Sequence, residues 1–130
     1  MRFDLRKPCA GCPFLRDGAE AVRLRSGRVR EVWQTTRQDG PTFACHKTVN
    51  HDDEDEDGSR DTRREQHCAG AFLAGIASGG GPNQLCRIAA RMDRSLAAAM
   101  TDERNLALVF ASLQEMRATA IDTDRKKGNR

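Results

Sequence analysis

Hydrophobic residues recur at helical spacing in four stretches of the chain, separated by breaks rich in glycine, proline or charge. The first stretch predicts a helix over residues 27–38, with Ser26 as its N-cap and Gly40–Pro41 as a stop signal. The second predicts a helix over residues 63–78, which carries Cys68 near its start and ends at three consecutive glycines.

Two further helices are predicted in the C-terminal half. One begins at Pro82, a good first-turn residue, and its apolar side comprises Leu85, Ile88, Ala89 and Met92. The other begins at Thr101 and has the clearest amphipathic pattern of the chain, with an apolar side that comprises Leu106, Val109, Phe110, Leu113 and Met116.

Residues 1–8 and 41–48 are predicted to be extended. The run of carboxylates at 52–57 repels itself and predicts a mobile loop over residues 50–62, and the basic residues 122–130 predict a disordered tail. The sequence therefore predicts a mainly α, small single domain over residues 1–121, with three to five helices and a short extended or hairpin element.

Composition makes the predicted core thin, because 38% of the residues are hydrophobic and only 5% are aromatic. A metal site would supply the cross-links that such a core lacks. The net charge of +3 is too small to indicate nucleic-acid binding by itself. No apolar run reaches the length of a membrane span and no signal-peptide core is present, so we expect a cytoplasmic protein without a membrane partner.

The strongest chemical signal is Cys9-Ala10-Gly11-Cys12. Two intervening residues let both sulfurs turn toward a point about 2.3 Å away, which is the metal–thiolate distance. Gly11 permits the tight turn, and proline on either side fixes the backbone. In the reducing cytoplasm, an odd count of five cysteines favours metal or redox chemistry over disulfides.

A closed structural site needs four ligands, and Cys45 and Cys68 supply the other two. The predicted ligand set is therefore Cys9, Cys12, Cys45 and Cys68. Cys86 lies on an apolar helix face and is expected to be a small buried residue.

The dispersed spacing of these cysteines and the Cys12–Pro13 pair favour a [4Fe–4S] cluster, and zinc is the alternative. His46 and His67 each adjoin a predicted ligand. Either is an alternative ligand for a Cys3His zinc site, or a residue that only supports the ligands.

Four arginines, Arg23, Arg25, Arg28 and Arg30, predict a weak nucleic-acid contact, although a solvated face is the simpler interpretation. The acidic run begins like a calcium loop, but position 12 of that loop is Arg64 in place of the required Glu, so no calcium site is predicted. No arrangement of residues predicts a catalytic group.

Three segments, 7–14, 43–48 and 68–71, resemble an uncharacterised family of small cysteine-rich proteins from actinobacteria and their phages. The resemblance covers about residues 6–76 and implies that Cys9, Cys12, Cys45, Cys68 and His46 are the signature positions. In size, charge and cysteine number the chain is also similar to the WhiB-like iron–sulfur regulators. Their cysteines are more closely clustered, and they carry a Gly-Trp turn motif that this chain lacks.

These observations predict a small, non-enzymatic, metal-binding regulatory or interaction module. Its expected partner is nucleic acid or a protein of the transcription machinery. The alternatives are a zinc-stabilised interaction domain and a redox sensor in which a labile cluster switches binding.

Overall fold

The computed structural model describes residues 2–45 and 65–122 of the chain. The predicted acidic loop and residues 123–130 of the predicted tail lie outside these ranges. Within them, the mainly helical class is confirmed, but six α-helices are present where three to five were predicted. The helices are α1 (Ser26–Trp33, followed by a 3-10 turn at Gln34–Thr36), α2 (Ala69–Ala77), α3 (Gln84–Met92), α4 (Arg94–Thr101), α5 (Glu103–Leu106) and α6 (Leu113–Ala118).

Helix α2 forms the centre of the core. Every residue from Ala69 to Gly75 is buried, because this helix is apolar all round and is covered on all sides. Phe72 and Leu73 are among the largest fully buried side chains of the described residues. The 3-10 turn after α1 and the helices α4 and α5 pack against α2, so the start of α2 has a fixed position in the domain.

Residues 65–68 lie between two other extended segments. Arg2 forms a parallel bridge with Gln66, and Ala44 forms an antiparallel bridge with His67. The backbone N–H groups of Cys45 and Cys68 donate to the carbonyls of Gln66 and Phe43, each at 2.7 Å. The extended segments predicted over residues 1–8 and 41–48 are therefore confirmed at Arg2 and at residues 43–45.

The prediction that the second helix begins at residue 63 is wrong for residues 65–68. The backbone groups of these residues form hydrogen bonds with Arg2 and Phe43, and they do not form a helical turn. The helix begins one residue after Cys68, which is the N-cap of α2. The N-terminal segment thus determines where α2 starts, a long-range effect that local periodicity does not report.

The long amphipathic helix predicted from Thr101 is also wrong. It is broken after α5, because Leu15 and Val109 form an antiparallel bridge and the Phe110 N–H donates to the Phe14 carbonyl at 3.0 Å. Ser112 then caps a separate helix, α6, by accepting a hydrogen bond from the Glu115 N–H. The apolar residues between the two helices are therefore used to cover the N-terminal segment.

Helix α1 forms where it was predicted, but Ser26 is its first residue and Arg25 is the N-cap, so the prediction of Ser26 as the N-cap is wrong. The N-terminus of the helix is held by a residue that is distant in the sequence. The Ser26 N–H and hydroxyl donate to the two carboxylate oxygens of Asp122, at 3.1 and 2.9 Å. Asp122 is the first residue of the predicted tail, and it lies within the described residues, next to Ser26.

Helix α3 differs from prediction in the face that it buries. Only Cys86 is buried in this helix, whereas Leu85, Ile88 and Met92 of the predicted apolar side are exposed to 44%, 45% and 85%. The side chains that face the protein are small, so bulky apolar groups remain on the surface. None of the helices in the described ranges is both long and apolar enough to span a bilayer.

Asp93 separates α3 from α4, and we expect its replacement by alanine to destabilise the domain by about 1 kcal/mol. Its Oδ1 accepts hydrogen bonds from the N–H groups of Ser95 and Leu96, and its other oxygen pairs with Arg6 at 2.8 Å. Asp93→Asn keeps the cap and loses only a partly exposed ion pair, so it should lower the free energy of unfolding by only a few tenths of a kcal/mol. Urea unfolding of both variants measures the difference; equal losses would contradict the capping role.

Candidate metal centre

The turn at Cys9–Cys12 presents both sulfurs on one side. The Cys12 N–H donates to the Cys9 carbonyl at 3.0 Å, which closes the turn. Burial is the main cause that raises the pKa of Cys9, and the nearby Cys45 raises it further, while the Gly11 N–H donates to its sulfur. Cys9 is half-buried and Cys12 is fully buried, so the turn is buried at its Cys12 end.

Cys68 meets this turn from the start of α2. The Sγ atoms of Cys12 and Cys68 are 3.6 Å apart, although 55 residues of sequence separate them. The hydrogen bond from Cys68 lowers the pKa of Cys12, and the same contact, together with burial, raises the pKa of Cys68 well above its usual value. The contact therefore favours the thiolate form at Cys12 over that at Cys68.

Backbone N–H groups point at the sulfurs of this pair. Those of Phe14, Gly70 and Leu15 donate to Cys12, and that of Ala71 donates to Cys68. Two of these donors belong to the first turn of α2, where unpaired N–H groups and the helix dipole favour negative charge. This arrangement stabilises sulfur as an anion, the form in which it ligates metals.

Cys45 completes the group through its pairing with the segment before α2. It is 4% exposed, and its backbone is fixed by the hydrogen bond to Gln66. Its sulfur lies close enough to Cys9 to raise the pKa of that residue by a hydrogen bond and by charge, and its charge also raises the pKa of Cys68. The four predicted ligands are thus linked by electrostatic contacts that run between Cys9, Cys12, Cys68 and Cys45.

These residues fit a metal ion in their chemistry. Four thiol groups converge, none of the chain's five cysteines is in a disulfide, and N–H donors are aimed at three of the sulfurs. The fit in geometry is partial. Across residues 2–45 and 65–122, no three His, Cys, Asp or Glu side chains already surround a single point at ligating distance. The thiols form two close pairs that would have to draw together around an ion.

Gly70 is a site residue that the sequence reasoning missed. A Cβ atom at this position would lie 2.4 Å from the Cys12 sulfur and 3.0 Å from the Phe14 Cβ, so only glycine allows the close approach. The available signal was its place two residues after Cys68, within the first turn of the helix.

His67 lies beside the cysteine group but faces away from it. Its Nδ1 is 3.0 Å from the Cys68 carbonyl oxygen, to which it donates, and its Nε2 is 3.4 Å from the Cys86 sulfur. Its ring stacks on Phe3, and burial lowers its pKa, so the imidazole is neutral. In this arrangement His67 holds the backbone of Cys68. His46, the other predicted alternative ligand, lies outside the described residues.

Cys86 is fully buried, and its burial predicts a specific pH dependence. Burial raises its pKa to about 12, from an ordinary value of 9.0. An unfolded chain would ionise this thiol above pH 9 while the folded chain would not, so the stabilising effect is complete below pH 9 and is lost as pH rises toward 12. Cys86→Ala should remove a slope of about 1.4 kcal/mol per pH unit in that window. Urea unfolding of both proteins at pH 9, 10 and 11 measures it; parallel stability curves would contradict this.

The four arginines predicted to contact nucleic acid differ in their contacts within the protein. Arg23 donates to the backbone carbonyls of Leu15 and Arg16, and its guanidinium lies 5.6 Å from the centre of the Phe110 ring. Arg28 forms an ion pair with Glu31. Arg25 and Arg30 are exposed. Two of the four therefore have structural partners.

Comparison with protein families matches residues 4–127 to the "Family of unknown function (DUF6283)". The chain belongs to this family. The match includes the C-terminal helices, and it confirms only the expectation of an uncharacterised family. Among curated proteins and among solved structures, no significant match is found. Because the family has no known function, a functional proposal for this chain depends on the geometry of its cysteines.

Proposed function

We propose that Cys9, Cys12, Cys45 and Cys68 bind one metal ion as thiolates, and that this ion fixes the N-terminal turn to the central helix. The observation that carries the proposal is the convergence of these four cysteines from three segments, with the Cys12 and Cys68 sulfurs 3.6 Å apart. The N–H donors at the sulfurs of Cys12 and Cys68 support the proposal, because they favour the thiolate form that ligates metals.

Zinc is the metal that this distance favours. In a tetrahedral site with zinc–sulfur bonds of about 2.3 Å, neighbouring sulfurs lie about 3.8 Å apart. The observed separation of 3.6 Å is close to that edge. The thiolates of a four-iron cluster bind different iron atoms, so the body of the cluster holds them further apart.

A [4Fe–4S] cluster remains the second candidate, supported by a different observation. The four cysteines are dispersed along the sequence, a spacing that a cluster tolerates because each of its irons needs only one thiolate. The proline after Cys12 is also typical of cluster-binding sequences.

Four thiolates would fill the coordination sphere of zinc, which leaves no open position for a substrate or an activated water. The proposed role of the ion is therefore structural, and we propose that the domain acts as a non-enzymatic regulatory or interaction module. The engagement of Arg23 and Arg28 reduces the support for nucleic acid as its partner. A protein partner, which includes the transcription-machinery protein considered from the sequence, is favoured.

Metal and sulfide analysis of protein purified without oxygen tests the proposal. We expect about one zinc ion per chain, no acid-labile sulfide and no visible colour. Loss of the metal from Cys9→Ser, with retention by Cys86→Ser, would tie it to the four cysteines. Absorption near about 400 nm with sulfide would establish the cluster instead. A colourless protein that contains neither metal would overturn both candidates.

A further inference from the structure

The outer face of α3 is an apolar stripe without a cover in the described part of the chain. Leu85, Ile88 and Met92 follow the spacing i, i+3, i+7 and so lie along one side of the helix. Their exposed fractions are 44%, 45% and 85%. The inward side of α3 is built from Cys86 and two alanines. The helix therefore places its small residues inside and its bulky apolar residues outside, the reverse of what core packing requires.

Positive charge borders this stripe. Arg87 and Arg91 are one helical turn apart and both are exposed, and Arg94 follows at the start of α4. Helix α3 contains no carboxylate. Among residues 2–45 and 65–122, no ion pair involves Arg87 or Arg91. The nearest carboxylate in sequence, Asp93, is already occupied by Arg6 and by the start of α4.

We propose that α3 is a docking surface for an acidic amphipathic helix of another protein. An apolar face with anchors at i, i+3 and i+7 is the surface by which two helices pack, and a glutamate- or aspartate-rich border on the partner would pair with the arginines. This inference rests on the surface of α3 alone and does not depend on the metal.

Other occupants fit the face less well. A second copy of α3 would bring two rows of arginine together, and nucleic acid would leave the three apolar side chains without an apolar partner. A bilayer is disfavoured because α3 is only nine residues long and two of its three apolar side chains are already more than half buried. An acidic helix satisfies the apolar stripe and the arginine border together.

The affinity should be modest, because nine residues span only about 13 Å and bury little area. A library of displayed amphipathic helical peptides, each with Glu, Gln or Lys at the positions that border a leucine face, provides the probe. With the full-length protein as target, we expect enrichment of the Glu-bordered peptides. A synthetic copy of the most enriched peptide should bind in the micromolar range, more weakly as salt is raised.

Two double variants and one control locate the binding surface. Ile88→Ser with Met92→Ser, and Arg87→Glu with Arg91→Glu, should each weaken binding of that peptide by about tenfold or more. Ile121→Ser replaces an equally exposed isoleucine (45%) outside α3 and should leave binding within about twofold. All these positions are exposed, so the unfolding midpoints should stay close to that of the unchanged protein, and circular dichroism checks this.

The proposal is overturned if no Glu-bordered peptide is enriched over its Lys-bordered counterparts, or if the α3 variants bind the peptide as well as the Ile121 variant does. It is also overturned if the apolar variant instead abolishes a dimer seen by sedimentation, or abolishes binding to vesicles of phosphatidylserine and phosphatidylcholine. In those cases the stripe belongs to a second copy or to a membrane.

Discussion

Replacing Cys68 by serine is expected to unfold the domain or to lower its free energy of unfolding by at least about 5 kcal/mol, because a metal held by four thiolates contributes folding energy directly. Cys68 is 4% exposed and its sulfur lies 3.6 Å from that of Cys12. It is also the N-cap of α2, where serine is a preferred residue. The substitution therefore preserves the helix cap and removes the thiolate, so a large loss would report on the metal.

Cys86→Ser is the matched control for this experiment. Cys86 is as deeply buried, undergoes the same chemical change and has the His67 Nε2 within 3.4 Å as a partner for the new hydroxyl. We expect it to cost about 1–2 kcal/mol, the range for a buried polar change that keeps a hydrogen-bond partner. Chemical unfolding and metal content of both variants provide the measurement. Similar losses in the two proteins, with metal content unchanged, would contradict the metal site.

The contact between Cys12 and Cys68 follows from reasoning that the sequence permits. A Cys-x-x-Cys turn needs further ligands, and cysteines at junctions between elements are well placed to supply them. Cys68 does lie at such a junction, between the extended segment and α2. The position of Cys45 next to this segment was harder to predict from the sequence, because it depends on the pairing of residues 43–45 with residues 66–68.

Helix boundaries in the C-terminal half show where local pattern fails. Leu106, Val109 and Phe110 have helical spacing, yet Val109 pairs with Leu15 and the Phe110 N–H donates to Phe14. The same apolar residues fit either one face of a helix or a contact with the segment Phe14–Leu15. The choice is made by a segment nearly a hundred residues earlier in the chain, which no window of local sequence contains.

The face that α3 buries was hidden from the sequence for a related reason. Periodicity identifies which residues share a side of a helix, but it does not identify what that side meets. In α3 the small residues lie on the side that packs against the protein, and Leu85, Ile88 and Met92 lie on the exposed side. The apolar periodicity of α3 was therefore predicted correctly, but the expectation that this side packs into the core was wrong.

Replacing Gly70 by alanine should be the second most damaging change, with an expected loss of about 3 kcal/mol and weaker retention of the metal. The added Cβ would lie 2.4 Å from the Cys12 sulfur and 3.0 Å from the Phe14 Cβ. Both neighbours are fully buried, so neither moves aside cheaply. The start of α2 would have to shift away from the Cys9–Cys12 turn, which would separate the sulfurs of Cys12 and Cys68.

Gly27→Ala is the control, because Gly27 lies in helix α1 and an added Cβ there would meet nothing within 4 Å. Alanine is the better helix former, so this variant should gain about 0.5–1 kcal/mol. Unfolding of both variants, with and without a chelator, separates packing from metal binding. If the chelator destabilises the unchanged protein strongly and the Gly70 variant only slightly, the damage lies at the metal. If Gly70→Ala is as stable as Gly27→Ala, then the close approach of α2 to the Cys12 sulfur, on which the whole site depends, is wrong.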